Sequence, residues 1–158
     1  MMKALLQRMR QASVSVDGQI VNQIARGLLV YTGIGPADTI ADAARLAQRV
    51  AGMRLFDDDA GKLNLSVLDI AGEVLAIPNF TLMADTNGGR RPSFSGAAPA
   101  AIAEPLFDAF VSSLQSAGCR VARGVFGASM LIAGQVDGPV NVIVNQPAEA
   151  VQPTTEIR

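Results

Sequence analysis

KALLQRMRQASVSVDGQIVNQIARGLLVYTGI, residues 3–34, reads as three strands in succession. The first, residues 3–16, ends on an alternation with Val14 and Val16 on one face and Ser13 and Ser15 on the other, the period of a half-buried strand. Asp17-Gly18 is a strong hairpin signal, and Gln19 to Ile24 form the return strand. Arg26-Gly27 then turns the chain into Leu28 to Ile34, a run read as apolar throughout and so covered on both faces.

Downstream, Gly35-Pro36 breaks the strand, and Asp38 or Thr39 caps a helix over residues 39–51. Its apolar stripe is Ile40, Ala43, Ala47 and Val50, with Asp42, Arg45 and Arg49 largely outside it. Met53 to Phe56 read as a short strand before the acidic turn Asp57-Asp58-Asp59-Ala60-Gly61, which lacks the ligand spacing of an EF-hand and is taken as a solvated turn. Glu73 to Phe80 form a core strand. Residues 83–98, rich in Gly, Asn, Arg, Pro and Ser, make a loop long enough to suggest a functional role. A second helix spans residues 99–117, with a kink expected at Pro105. Strands at Arg120–Val125, Ala128–Ala133 and Val140–Val144 close the domain. The order predicts an α+β fold with a largely antiparallel sheet and both helices packed on one side. It forms one domain over residues 1–145, with a polar tail over 146–158.

Composition excludes several classes of chemistry. The 158 residues carry a net charge of -1, so no broad phosphate-coating surface is expected. A small cluster, Arg90 and Arg91 with Lys3, Arg8 and Arg10, remains able to grip a few nucleotides. Histidine is absent and Cys119 is the single cysteine, which excludes a Ser-His-Asp or Cys-His nucleophile and any CxxC site. No metal or cofactor is expected. Cys119 reads as a small buried apolar residue. The absence of a signal-like segment or a membrane-length apolar run suggests a cytoplasmic protein with no membrane partner.

Five segments in order resemble the D-aminoacyl-tRNA deacylase family from Met2 to about Asn145. They are KALLQRMRQASVSVDGQIV with GLLVYTGI, LFDDDAGKLNLSVLDIAGEVL, NFTLMADTNGGRRPSFSGAAP, GVFGASM and DGPV. The resemblance implies two mostly antiparallel sheets rolled against each other in a barrel-like way, with two helices on one side. It implies a homodimer whose site lies at the subunit interface and takes the 3′ aminoacyl end of tRNA. The implied reaction is hydrolysis of D-aminoacyl-tRNA, and of glycyl-tRNA mischarged on tRNA(Ala), with L-aminoacyl groups turned away.

Carried over residue by residue, Gly138-Pro139 becomes a cis pair that excludes L-side chains; without the resemblance it would read as an ordinary trans turn. Gly fits because the backbone must approach closely. Thr81 and Asn79 are the candidate catalytic residues, although a purely hydrogen-bonding role for Thr81 is equally compatible. Arg8 matches the arginine that supports the Gly-Pro loop and is placed with the substrate-binding set. The others in that set are Phe80, expected to line the core beneath Thr81, Phe94 in the loop that cradles the terminal adenosine, Phe126 and Met130 near the pocket wall, and Asn141. Met130 also reads as plain core packing. Arg90 and Arg91 are the phosphate contacts.

Two motifs depart from the family pattern. Where the family typically reads Ser-Gln-x-Thr-Leu, this chain has Pro78-Asn79-Phe80-Thr81-Leu82, and Pro78 implies an edge or a bulge. Where the family reads Asn-x-Gly-Pro-x-Thr, this chain has Val136-Asp137-Gly138-Pro139-Val140-Asn141, so Val136 cannot bond and the Gly-Pro loop is expected to be held more loosely. These departures keep two alternatives open: a divergent paralogue acting on a related aminoacyl ester, and a non-catalytic relative that binds aminoacyl ends or a protein.

Overall fold

The computed structural model describes residues 1–148. Strand β1 (Met2–Val16) turns through Asp17 and Gly18, whose φ values of 49° and 77° are those of a two-residue hairpin, into β2 (Gln19–Ile24). β3 (Gly27–Gly33) leads to helix α1 (Ile40–Gly52), then to β4 (Phe56–Asp57) and β5 (Leu63–Leu65). β6 (Glu73–Pro78), a 3-10 turn (Phe80–Met83), α2 (Ala100–Ser116), β7 (Arg120–Arg123) and β8 (Leu131–Gln146) complete the order.

The main sheet runs β2-β1-β3-β6-β7, with β8 on the other side of β1. β1 pairs antiparallel with β2, β3 and β8, whereas β3–β6 and β6–β7 are parallel, so the sheet is mixed. The helical segments before β6 and β7 are crossovers that return each strand in the same direction. The sheet rolls until its two ends meet, where Asn22 Nδ2 of β2 donates to the Arg123 carbonyl of β7 at 2.7 Å.

The apolar run of β3 has both faces covered, as expected. Leu28 and Val30 join Val74, Ala76, Leu46 and Phe110 in the core beneath the helices. Leu29 faces the other way, with Leu75, Ile77, Met9 and Val14, into the interior of the roll. Two-residue alternation on β3 and β6 therefore builds two cores from one sheet.

Several expectations are corrected. The short strand expected at Met53–Phe56 is confined to Phe56–Asp57 and pairs with Leu63–Leu65. The expected strands at 128–133 and 140–144 are one strand, β8, that continues past Gly138-Pro139 and reaches Gln146, opposite Met2. Gln146 therefore belongs to the sheet; the rest of the expected tail lies largely outside the described residues. As expected, the second helix continues through Pro105, which sits in its second turn, where the missing N–H forgoes only one helical bond. Pro78 stands at a local edge, as expected, with β3 on one side and no strand on the other. It is the last residue of β6, beyond the reach of β7, so no partner needs its N–H.

Helix α1 reverses part of its predicted stripe: Ile40 is exposed and Asp42 is fully buried. Asp42 completes a capping box, accepting from Thr39 N at 2.9 Å and Thr39 Oγ1 at 2.7 Å, and it also receives Arg45 at 2.7 Å. Burial raises its pKa, but the bonds from Thr39 and Arg45 outweigh this and leave it below the usual 3.8. A carboxylate with a depressed folded pKa contributes stability above its unfolded pKa and loses it as pH falls through the folded one. Asp42→Asn is therefore expected to cost about 1–3 kcal/mol at pH 7. Urea titrations should show the deficit shrinking below pH 3.8, whereas a constant deficit across acid pH would contradict the assignment.

Candidate active site

β6 ends at Pro78 because the following Asn79 turns the chain. Asn79 N donates back to the Thr32 carbonyl at 2.8 Å, and its side chain caps the 3-10 turn. Asn79 Oδ1 accepts both Thr81 N, at 3.1 Å, and the Thr81 hydroxyl. The Thr81 hydroxyl proton is thus committed to Asn79, and the oxygen keeps its lone pairs for an incoming donor. Asn79, though shorter than the family glutamine, makes this contact within its own turn.

The long loop after the turn is pinned at its neck by a pair of backbone bonds, Asp85 N to Ser93 O at 2.8 Å and Ser93 N to Asp85 O at 2.9 Å. Arg90 and Arg91 sit exposed at the tip of this loop. Phe94, just beyond the neck, meets Phe80 edge-to-face at 5.2 Å between ring centres. Phe80 therefore stands out from the surface at 58% exposure and does not line the core as expected. The turn lifts its side chain off the sheet at the point where strand alternation would have buried it.

A cleft of about 390 Å³ opens beside this pair. Its walls are Phe80 and Phe94, Phe126 and Gly127, and the start of α2 at Ala100 and Ala103. Thr32, Ile34, Pro78 and Asn79 line it from the strand ends. Among the described residues, no ionisable side chain lines it. Asn79, Phe80, Phe94 and Phe126 of the predicted set thus come together, with Thr81 bonded at the edge. Met130 does not join them; it packs against the core inside the roll, with its sulfur against Gly124.

Gly138 and Pro139 lie elsewhere. Gln7 pairs with Asn141 and Met9 with Val136, so Asp137–Val140 bulge out of β8 opposite the single residue Arg8. The Gly138-Pro139 peptide is cis and Gly138 has φ +121°. Arg8 is buried and holds the bulge from beneath. Its Nε contacts the Asp137 carbonyl at 3.3 Å and the Asp137 carboxylate at 3.2 Å, while Nη1 reaches the Leu55 carbonyl at 3.0 Å and Asp57 at 3.2 Å. Arg10 binds the other Asp137 oxygen at 3.3 Å. The buried Arg8 is thus committed to the bulge, whereas the Arg10 side chain stays 73% exposed. The looseness expected from Val136 is answered by Asp137, which sequence reading passed over; its proximity to two arginines comes only from the pairing of β1 with β8. Asn141 accepts from Gln7 across the same pair.

Arg8 is level with Leu28, four residues before Thr32 along β3, or about 13 Å at the usual strand rise. β1 and β3 also separate β8 from β6, adding roughly 10–14 Å across the sheet. Among the described residues, none of β8 lines the cleft. Within one chain, the bulge and the cleft are two separate places.

Comparison with known proteins matches residues 5–145 to the family model described as D-Tyr-tRNA(Tyr) deacylase. A relative from Roseiflexus castenholzii named D-aminoacyl-tRNA deacylase is 51% identical over 144 residues, 91% of this chain and 92% of its own. A solved structure titled c-Myc DNA Unwinding Element Binding Protein superposes with TM-score 0.87 at 35% identity, covering 92% of this chain and 99% of that one. Another, titled as a probable eukaryotic D-amino acid tRNA deacylase, shares the fold with TM-score 0.78 at 18% identity, over 90% and 98% of the two chains. Matched along nearly its whole described length in sequence and in fold, this chain belongs to the D-Tyr-tRNA(Tyr) deacylase family.

Proposed function

We propose that this protein hydrolyses the ester between a D-amino acid, or glycine, and the 3′ end of tRNA, as a homodimer whose two sites each draw on both subunits. The observation that carries this reading is the separation of two complementary parts. An uncharged aromatic cleft fits a nucleoside, and a backbone bulge fits a steric gate, but within one chain they stand apart, the bulge on β8 and the cleft at the ends of β3 and β6. A two-fold partner that brings its Gly138-Pro139 bulge to the cleft unites them. The exposed edge of β8 supports this, with Leu131 72%, Val136 45% and Ile143 66% exposed on a 16-residue strand. Long apolar edges of this kind are rarely left open.

Phe80 and Phe94 supply a stacking platform for the terminal base, and the exposed Arg90 and Arg91 of the same loop meet a flanking phosphate. Hydrolysis adds water to the ester carbonyl and breaks its bond to the ribose oxygen, releasing amino acid and tRNA. The neighbouring ribose hydroxyl helps orient the water, and backbone N–H groups stabilise the oxyanion, so no histidine is required. Thr81, its proton held by Asn79, accepts from the substrate ammonium. The gate admits hydrogen or a D-substituent and clashes with an L-substituent, a selection by exclusion that leaves glycine a substrate.

The decisive experiment measures amino acid released from matched D- and L-aminoacyl-tRNA. Turnover of the D-ester with the L-ester left intact is expected, and equal cleavage of both would overturn the proposal. Asn79→Ala, which frees the Thr81 hydroxyl, is expected to lower kcat/KM about three- to tenfold, the value of one hydrogen bond. Wild-type kinetics in that variant would remove Asn79 from the site.

A further inference from the structure

Thr32 is the one hydroxyl-bearing residue among those lining the cleft. It is 1% exposed, and its Oγ1 is buried without a hydrogen-bond partner. The strand around it is otherwise fully bonded: Thr32 pairs with Ala4 on one side and Pro78 on the other, and its carbonyl accepts from Asn79. A buried hydroxyl left unpaired destabilises a fold, and valine has the same shape without that penalty.

We propose that Thr32 is a specificity-determining residue whose hydroxyl bonds the edge of the terminal adenine when the nucleoside enters the cleft. The inference rests on the functional reading above for the identity of the ligand. The lining itself points to a neutral heterocycle: three phenylalanines and several alanines offer flat apolar contact, and no charged group is present to meet an ammonium or a phosphate. A polar edge inside such a pocket needs one polar partner, and Thr32 supplies it from the strand floor. Its oxygen is closed to water in the empty cleft, so the Thr32 side chain must rotate to present it, and the bond then satisfies a hydroxyl that is otherwise unpaired.

The signature is a trade between stability and binding. Thr32→Val is expected to raise the melting temperature, because the unpaired oxygen is gone, and to weaken adenosine binding about tenfold in calorimetric titration of the full chain. Thr32→Ser, which keeps the hydroxyl, should bind adenosine nearly as well as the wild type. A residue that serves packing alone would lose stability on substitution and leave the two variants alike in affinity. Equal adenosine affinity in the wild type and Thr32→Val overturns the assignment, as does a wild-type protein that binds no adenosine. Deacylation assays separate this from the broader reading. Retained D-ester hydrolysis with unchanged KM in Thr32→Val removes Thr32 alone, whereas Thr32-dependent adenosine binding in a protein inert toward D-aminoacyl-tRNA removes the hydrolase reading alone.

Discussion

Arg8→Met is expected to lower D-ester turnover about a hundredfold, the scale of a roughly 1 Å misplacement of a positioning element. It is also expected to cost about 2–3 kcal/mol of stability. The methionine keeps most of the apolar stem but removes every bond that the guanidinium makes. The Leu55 carbonyl is left without its donor, and Asp57 and Asp137 lose the cation between them. The stability figure sits below that of a fully buried pair because Asp57 is 48% and Asp137 26% exposed, so water recovers part of their loss. The bulge stays joined to β1 through Gln7–Asn141 and Met9–Val136, but its four residues lose their support. Arg8→Lys keeps the charge and gives up the planar fork, and should fall between the two proteins. Urea unfolding and D-ester kinetics on the three proteins check this; wild-type turnover in Arg8→Met would show that the bulge does not depend on its clamp.

The clamp also marks where local reading of the sequence stops. Asp17-Gly18 announced its hairpin because two adjacent residues carry the whole signal, and Leu28–Ile34 announced a doubly covered strand because its composition does. Gly138-Pro139 read as a break between strands, since both residues ordinarily end regular structure. Only the pairing with β1, more than a hundred residues earlier, keeps β8 continuous and turns the break into a bulge. Asp137 was invisible for the same reason. Charge alone places Asp42 on the solvent face, although the Thr three residues earlier is half of a capping box. The apolar pattern carries the strand on to Phe80, two residues past its end, because nothing in it shows that Asn79 will cap a turn. Thr32, a lone hydroxyl in a run read as wholly apolar, carried a signal that was averaged away. Elements followed from local chemistry; the two parts of the site followed from contacts distant in sequence.

That division yields a sharp test in Gly138→Ala. The added Cβ would lie 2.7 Å from Val140 N and 2.8 Å from Val140 Cγ2, at a φ of +121° that side chains avoid. The bulge must therefore shift, at a local strain of about 1–3 kcal/mol, while the edge position of β8 leaves both cores untouched. D-ester turnover is expected to fall about a hundredfold, while the melting temperature drops by only about 3–9 °C and the fold is kept. Phe80→Ala with Phe94→Ala should abolish activity by a separate route, removing the stacking platform while leaving the bulge intact. If each site takes its cleft from one subunit and its gate from the other, a mixed dimer of the two inactive proteins contains one site with both parts wild-type. Random exchange at equal amounts makes about half the dimers mixed, each with one of two sites restored, so about a quarter of wild-type turnover should return. A site contained within one chain has no such route back: every mixed dimer would carry a defect in both sites, and activity would stay at the level of the parents.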